Sequence, residues 1–192
     1  MARPKAFSRE KAQMQALQLF WRKGYSATSV ADLTSALHLS RSSMYDTFGD
    51  KRTLFLEALR LYSEQVISRT ARTLQESSPL AGIQALFDAL TAGVGSETDA
   101  MGCFMVNAVA ELVPYDADVT AIAVAYSDSL QRLLAEAVTQ GALQHTVTRK
   151  QTPKQLAAYL FNAMQGIRII IKSGATREQV DAVSAITLKS LH

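Results

Sequence analysis

The chain has 192 residues, 48% of them hydrophobic, which is enough apolar material for one large domain or two small ones. Charged residues make up 19% of the chain and no segment is compositionally biased, so we expect an ordered protein. No apolar run is long enough to span a membrane, and the basic N-terminus lacks the apolar segment of a signal peptide. We therefore expect a cytoplasmic protein. The single cysteine, Cys103, excludes an internal disulfide and most of a zinc site, and we expect neither metal nor cofactor.

The formal net charge of +3 is unevenly distributed. Residues 1–52 hold nine Lys and Arg against four Asp and Glu, a net +5, whereas residues 53–192 hold eleven against thirteen, a net −2. A basic region beside a nearly neutral body indicates a polyanionic partner at one end of the molecule.

Apolar residues recur at three- and four-residue spacing along nearly the whole chain, and no alternating run of β-branched residues is long enough for a strand. The pattern predicts an all-α protein of about nine helices. Glycine, proline and capping residues place their ends. The first predicted helix spans about residues 7–23, and the second has Thr28 or Ser29 as its cap and Val30, Leu33 and Leu37 as its inward residues. The other predicted helices are 41–48 capped by Ser40, 51–75 capped by Asp50, 80–94, 102–112, 117–140, 153–172 and 177–190.

The second and third helices are short and joined by a tight turn, and a longer helix precedes them. This arrangement is the three-helix form of the helix-turn-helix DNA-binding motif. The third helix has only Met44 and Phe48 to bury, so its outward face serves something other than packing. That face carries hydrogen-bonding groups suited to base edges and phosphates, where a merely solvated helix would carry more Glu and Lys: Arg41, Ser42, Ser43, Tyr45, Asp46 and Thr47.

Residues 24–30 read GYSATSV and residues 39–51 read LSRSSMYDTFGDK. Their order, spacing and residue classes resemble the signature of TetR-family (tetracycline-repressor-like) regulators. The resemblance implies phosphate contacts from Thr28 and Lys51, packing of Tyr45 against the DNA backbone, and an approach to bases by the start of the third helix. The DNA-binding residues that we predict on this basis are Thr28, Ser40, Arg41, Ser42, Ser43, Tyr45, Thr47 and Lys51.

The resemblance further implies a ligand-responsive transcriptional regulator, typically a repressor. Such a protein binds a palindromic double-stranded DNA operator as a homodimer and is released by a small molecule. We expect a helix-turn-helix domain over residues 1–52 and a ligand-binding and dimerisation domain over residues 53–192.

Two basic features near the motif leave alternatives open. His38 stands where the family usually has a glycine in a left-handed turn, and it either strains that turn slightly or contacts a phosphate. Arg3, Lys5 and Arg9 form either a DNA-contacting arm or a disordered basic tail.

One short helix reads too few bases for useful specificity, so such modules pair about a two-fold axis. The last two predicted helices are apolar and contain small residues that permit close approach. Their apolar faces form the dimer interface or belong only to the core of one subunit. The predicted interface residues are Leu156, Leu160, Ala163, Ile167, Ile170, Val180 and Val183.

Aromatic and methionine side chains between the fourth and eighth helices suit an apolar ligand, although plain core packing is the alternative for each one. Asn107 and Glu111 lie four residues apart on one helix face, where they either bind a polar ligand group or cap neighbouring backbone. The predicted ligand-binding residues are Phe87, Phe104, Asn107, Glu111, Tyr126, Tyr159 and Met164.

Three other functions compete with ligand-controlled repression. Cys103, just after a glycine at a predicted helix N-terminus, is either a sensor of oxidants and electrophiles or an inert packing residue. An architectural DNA-binding protein without ligand control is a second rival. An enzyme is excluded because three widely spaced histidines, one cysteine and no Gly-rich phosphate loop make no recognisable catalytic set.

Overall fold

The computed structural model describes residues 8–95 and 101–192, and within these ranges it contains nine helices and no strand. The all-α prediction is therefore confirmed. Residue 7, the predicted start of the first helix, lies outside the described residues. The helices are α1 (Arg9–Lys23), α2 (Val30–Leu37), α3 (Arg41–Phe48), α4 (Lys51–Gln75), α5 (Pro79–Ala92), α6 (Phe104–Leu112), α7 (Ala117–Leu143), α8 (Pro153–Lys172) and α9 (Arg177–Lys189).

Local capping signals set the ends of the N-terminal helices. Ser29, not Thr28, caps α2, and it forms a reciprocal capping box with Asp32. Ser40 and Asp50 cap α3 and α4 by accepting hydrogen bonds from backbone N–H groups in the first turn, as the sequence indicates. Between α2 and α3, His38 adopts the left-handed conformation, with φ of 53° and ψ of 42°.

Two hydrophobic clusters fill the molecule. The first joins α1, α2 and α3 to α4, α6 and the N-terminal part of α7, and its aromatic centre includes Phe20, Phe55 and Phe104. The second joins α5, α8 and α9 to the C-terminal part of α7. The DNA-binding motif therefore shares its core with α6 and α7, and α4 runs without a break from the motif into the body.

Within the described ranges, none of the helices combines the length and the apolar content that crossing a membrane requires.

Candidate nucleic-acid interface and ligand cavity

The α3 helix divides into a buried face and an exposed one. Met44 and Phe48 are almost completely buried and fix the helix to α1, α2 and α4. The residues that α3 leaves exposed are Arg41, Ser42, Tyr45 and Asp46, with Ser43 and Thr47 partly exposed. A helix held by two side chains thus presents its polar side outward.

Three hydroxyl groups cluster at the N-terminus of α3. The Ser40 Oγ accepts a hydrogen bond from the backbone N–H of Ser43 at 3.1 Å, and it lies 3.0 Å from the Ser42 Oγ and 2.8 Å from the Ser43 Oγ. The guanidinium of Arg41 lies 6.0 Å from the Tyr45 ring centroid, which is a weak cation–π distance that leaves the guanidinium exposed. Hydroxyl and guanidinium donors therefore lie together at one helix end.

Two predicted phosphate contacts, Thr28 and Lys51, have different surroundings. Thr28 is fully buried, and its hydroxyl donates to the Gly24 carbonyl at 2.6 Å. That side chain has no exposed surface to offer a phosphate, and we leave it out of the interface proposed below. Lys51 begins α4 and remains partly exposed, with its Nζ 4.3 Å from the Tyr25 ring centroid.

Of the predicted basic arm, Arg3 and Lys5 lie outside the described residues. Arg9 donates both of its hydrogen bonds from Nη2 to the two Glu57 carboxylate oxygens, at 2.6 and 2.8 Å, and lies 5.1 Å from the Phe48 ring centroid. In this structure Arg9 therefore fastens α1 to α4.

Polar contacts also hold the motif against the body of the protein. The Glu111 carboxylate, near the end of α6, accepts hydrogen bonds from the backbone N–H groups of Tyr25 at 3.0 Å and Ser26 at 2.7 Å. Partial burial by itself raises the pKa of Glu111, but these hydrogen bonds and the nearby Lys51 charge outweigh burial and leave the pKa below its usual value. Glu111 thus caps backbone of the segment between α1 and α2.

A second connection joins the start of α4 to the start of α7. Arg52 forms ion pairs with Asp116 at 2.9 Å and with Asp118 at 2.7 Å. The hydrogen bonds from the Arg52 guanidinium lower the pKa of Asp116. Trp21 adds a third connection, because its indole N–H donates to the Gly102 carbonyl at 3.1 Å.

A cavity of about 290 Å³ opens among α1, α4, α5, α8 and the segment that precedes α6. The described residues that line it are Trp21, Tyr62, Gln65, Val66, Arg69, Thr70, Thr73, Leu86, Ala89, Leu90, Gly93, Gly102, Met164, Arg168 and Ile171. Of the predicted ligand-binding residues, Met164 alone appears in this lining.

The other predicted ligand residues lie elsewhere. Phe87 is buried in the second hydrophobic cluster and Phe104 in the aromatic centre of the first. Tyr126 is also buried, while Tyr159 is 43% exposed on the outer side of α8. Asn107 donates to the Met101 carbonyl at 2.8 Å and accepts from the Lys172 ammonium at 2.7 Å. These side chains are buried in the core, hydrogen-bonded to neighbouring residues or exposed on the surface. Their role in ligand binding stays a prediction.

Arg168 is one of the cavity residues that the sequence analysis does not predict, and it is charged. Its side chain is partly buried, lines the cavity and donates one hydrogen bond to Gln165 at 2.9 Å. The signal was present in the sequence, because Arg168 is a single charge inside the apolar run from Ile167 to Ile171. Because burying an unpaired charge is costly, a charged residue in an otherwise apolar helix segment indicates that its side chain has a polar partner or reaches solvent.

Cys103 precedes α6 and is 2% exposed. The Tyr62 hydroxyl donates to its sulfur at 3.3 Å, and burial together with Cys103 raises the pKa of Tyr62. The thiol does not lie on the surface, so a reagent needs either a route through the protein or a movement of α6 to reach it. Thiol sensing by Cys103 stays a prediction.

The predicted interface residues on α8 and α9 divide between the core and the surface. Ala163 and Ile170 are partly buried, and Val183 is 39% exposed. The exposed large apolar residues of these helices are Tyr159, Ile169, Val183 and Ile186, and the residues buried within the subunit are Leu156, Leu160, Ile167 and Val180. Four of the seven predicted residues therefore face the core of their own subunit, while the two helices still carry an apolar outer face.

Comparison with known proteins gives the same architecture. Residues 15–58 match the family model described as bacterial regulatory proteins, tetR family, and residues 79–186 match the tetracyclin repressor-like C-terminal domain. The chain is 29% identical over 189 residues to the HTH-type transcriptional repressor ComR of Escherichia coli K12, which covers 97% of this chain and 90% of ComR.

Two solved structures share the fold over nearly the whole chain. A cysteine mutant of the TetR family transcriptional regulator CifR, complexed with 26-bp double-strand operator DNA, superposes with a TM-score of 0.86 at 28% identity over 100% of both chains. The reduced form of E. coli NemR superposes with a TM-score of 0.87 at 20% identity over 96% of this chain and 97% of NemR, which supports the fold alone. Since the two matched regions together cover more than half of the sequence, the chain belongs to the tetR family of bacterial regulatory proteins, which are DNA-binding transcriptional regulators and not enzymes.

Proposed function

We propose that this protein is a homodimeric repressor that binds a palindromic operator through α3 and Lys51 and releases it when a small molecule occupies the 290 Å³ cavity. The outward polar face of α3 is the observation that carries this proposal. Family membership and the operator complex of CifR support DNA as the partner.

The DNA contacts in this proposal divide by chemistry. Lys51 and the first turn of α4 suit phosphates, since ammonium groups and helix N-terminal N–H groups bind anions. Arg41, Ser42 and Ser43 suit base edges in the major groove, because α3 is short and its N-terminal turn is exposed.

The outer face of α8 and α9 supports a homodimer. Ile169 is 50% exposed and Ile186 is 66% exposed, which is costly for large aliphatic side chains in water. Gly166 lies on the same face, and a Cβ added there would meet no atom within 4 Å in the protomer. Pairing these helices with a second copy forms a four-helix interface that removes the apolar side chains from water.

The helices that line the cavity support ligand control. Tyr62 and Val66 of α4 line it, and the same helix begins at Lys51 beside the DNA-reading motif. A ligand that binds one orientation of α4 more tightly than another changes the distance between the two helix-turn-helix motifs of a dimer. The affinity for the operator then falls, because the two motifs no longer fit successive major grooves of the DNA.

DNA binding is tested by fluorescence anisotropy with duplex DNA from upstream of the protein's own gene and with a random duplex. Lys51→Ala is expected to weaken binding to both duplexes and to reduce the slope of log K against log salt concentration by about 1. Ser43→Ala is expected to change base preference, and Lys154→Ala, an exposed lysine of α8, serves as the control. Wild-type binding by both Lys51→Ala and Ser43→Ala over a salt series would contradict the proposed reading face.

Sedimentation equilibrium tests the dimer. Ile186→Glu is expected to raise the dissociation constant by at least about tenfold, because it places a charge within an apolar interface. Leu143→Glu, at the 64% exposed end of α7, is the matched control and is expected to have no effect. A wild-type protein that stays monomeric at all concentrations would refute this part of the proposal.

A further inference from the structure

The lining of the cavity combines apolar walls with an unbalanced positive charge. Its walls include Trp21, Tyr62 and Met164, while two arginines, Arg69 and Arg168, also line it. No Asp or Glu of the described ranges belongs to this lining. The cavity is thus hydrophobic and cationic at once.

Arg168 lacks a counter-charge within the part of the chain that the structure describes. A guanidinium carries five N–H donors and stays protonated in proteins, but this one makes a single hydrogen bond, to the neutral Gln165. The ion pairs of the described residues do not include it. Since an opposite charge stabilises a partly buried guanidinium that has unused donors, Arg168 favours the binding of an anion in the cavity.

The two phenols near Arg168, those of Tyr62 and Tyr126, do not supply that anion. Burial raises the pKa of Tyr62 and of Tyr126, so both phenols stay protonated and neutral at physiological pH. The buried Tyr126 hydroxyl has no hydrogen-bond partner among the described residues. The described lining therefore contains hydroxyl and amide groups but no carboxylate that balances Arg168.

The volume of the cavity suits a small anionic ligand. A volume of about 290 Å³ lies at the lower end of the range of small-molecule pockets, which is about 300–1,000 Å³. It suits a body of about ten non-hydrogen atoms. One anionic group satisfies Arg168, and the apolar walls favour hydrocarbon for the remainder.

From these observations we infer that the cavity binds a small apolar monocarboxylate whose carboxylate pairs with the guanidinium of Arg168. An arginine and a carboxylate match in geometry and form paired, charge-assisted hydrogen bonds. The hydrocarbon body lies against Trp21, Tyr62 and Met164. This inference names the ligand class for the effector site proposed above and rests on that proposal only for the regulatory consequence.

Binding is tested on the full-length protein with octanoate and phenylacetate and with their neutral analogues octanamide and phenylacetamide. Calorimetry gives the affinity, and the emission of Trp21, the single tryptophan of the chain, reports occupation of the cavity that it lines. At least one acid is expected to bind about ten- to a hundredfold more tightly than its amide and to change the Trp21 emission. The comparison uses the wild-type protein, so it does not depend on whether any variant folds.

Variants test whether the preference for an acid over its amide depends on the charge of Arg168. Arg168→Met is expected to remove the preference for acid over amide, and Arg168→Lys is expected to retain part of it. Arg132→Met, an exposed cation of α7 outside the cavity, is expected to leave it unchanged. Thermal unfolding of each variant confirms that it is folded before binding is measured.

Three results would overturn the inference: amides that bind as tightly as acids, an acid preference that survives Arg168→Met, or no binding of either acid up to about 10 mM. Operator binding without ligand is measured separately, and its absence would refute the proposed repressor while leaving carboxylate binding intact. Acids that bind but fail to release the operator would refute the effector role alone.

Discussion

Glu111 provides a quantitative test of how α6 is joined to the DNA-binding motif. Its carboxylate accepts the backbone N–H groups of Tyr25 and Ser26, and Glu111→Ala removes both hydrogen bonds. A hydrogen bond to a charged group contributes about 1.5–3 kcal/mol when shielded. The Ser26 contact is exposed and contributes less, so we expect a total loss of about 2 kcal/mol in the free energy of unfolding.

For a chain of this length, a loss of about 2 kcal/mol lowers the melting temperature by about 4–8 °C. Differential scanning calorimetry at one fixed protein concentration measures this shift, since dimerisation makes the melting temperature concentration-dependent. Glu111→Gln, which keeps an acceptor oxygen but loses the charge, is expected to lose about half as much. Glu136→Ala, an exposed carboxylate of α7, is the control and is expected to change stability by less than about 0.5 kcal/mol.

The contribution of Glu111 to the free energy of unfolding is expected to depend on pH, and the sign follows from the shift of its pKa. The pKa of Glu111 in the folded protein is below its ordinary value of 4.5, so its contribution is fully present above that value. As the pH falls from 4.5 through the lowered pKa, the contribution is lost and the difference between wild type and Glu111→Ala narrows. A variant that melts with the wild type at neutral pH, or a difference that stays constant through the acid range, would refute this reasoning.

Three further substitutions test other parts of the structure. Ser40→Ala removes the cap of α3 and is expected to cost about 1 kcal/mol in chemical denaturation and to weaken operator binding, and unchanged stability would show that the cap is dispensable. His38→Gly relieves a left-handed residue with φ of 53° and is expected to stabilise the fold by up to about 1 kcal/mol, whereas a loss would show that the imidazole makes a stabilising contact. Leu160→Ala creates a cavity at a fully buried position and is expected to lower the free energy of unfolding by about 2–5 kcal/mol in chemical denaturation. A side chain that served only a dimer interface would not produce this loss in the monomer.

The DNA-reading element was the most predictable part of the molecule. The caps at Ser40 and Asp50 and the left-handed turn at His38 involve residues within about four positions of one another. Interactions of that range are visible in sequence because the chain itself holds the partners close together. The two buried positions of α3 likewise follow from its period, which leaves the polar residues outside.

The apolar faces of α8 and α9 were harder to interpret. Periodicity shows that Leu160 and Val183 lie on apolar helices, but it does not show whether their neighbours belong to the same chain or to another copy. The structure buries Leu160 in its own subunit and leaves Val183 exposed. The difference depends on where α5 and α7 pack, and those helices are distant in sequence.

The helices, the caps at Ser40 and Asp50 and the polar face of α3 are predictable from the sequence, because those properties depend on local hydrogen bonds and on the spacing of apolar residues. Tertiary structure alone decided that Glu111 binds backbone 85 and 86 residues away, that Thr28 is buried, and that Arg168 lines a cavity among helices from both halves of the chain. The physical reason is that burial and charge compensation depend on which distant surfaces meet, and that information is absent from any short stretch of sequence.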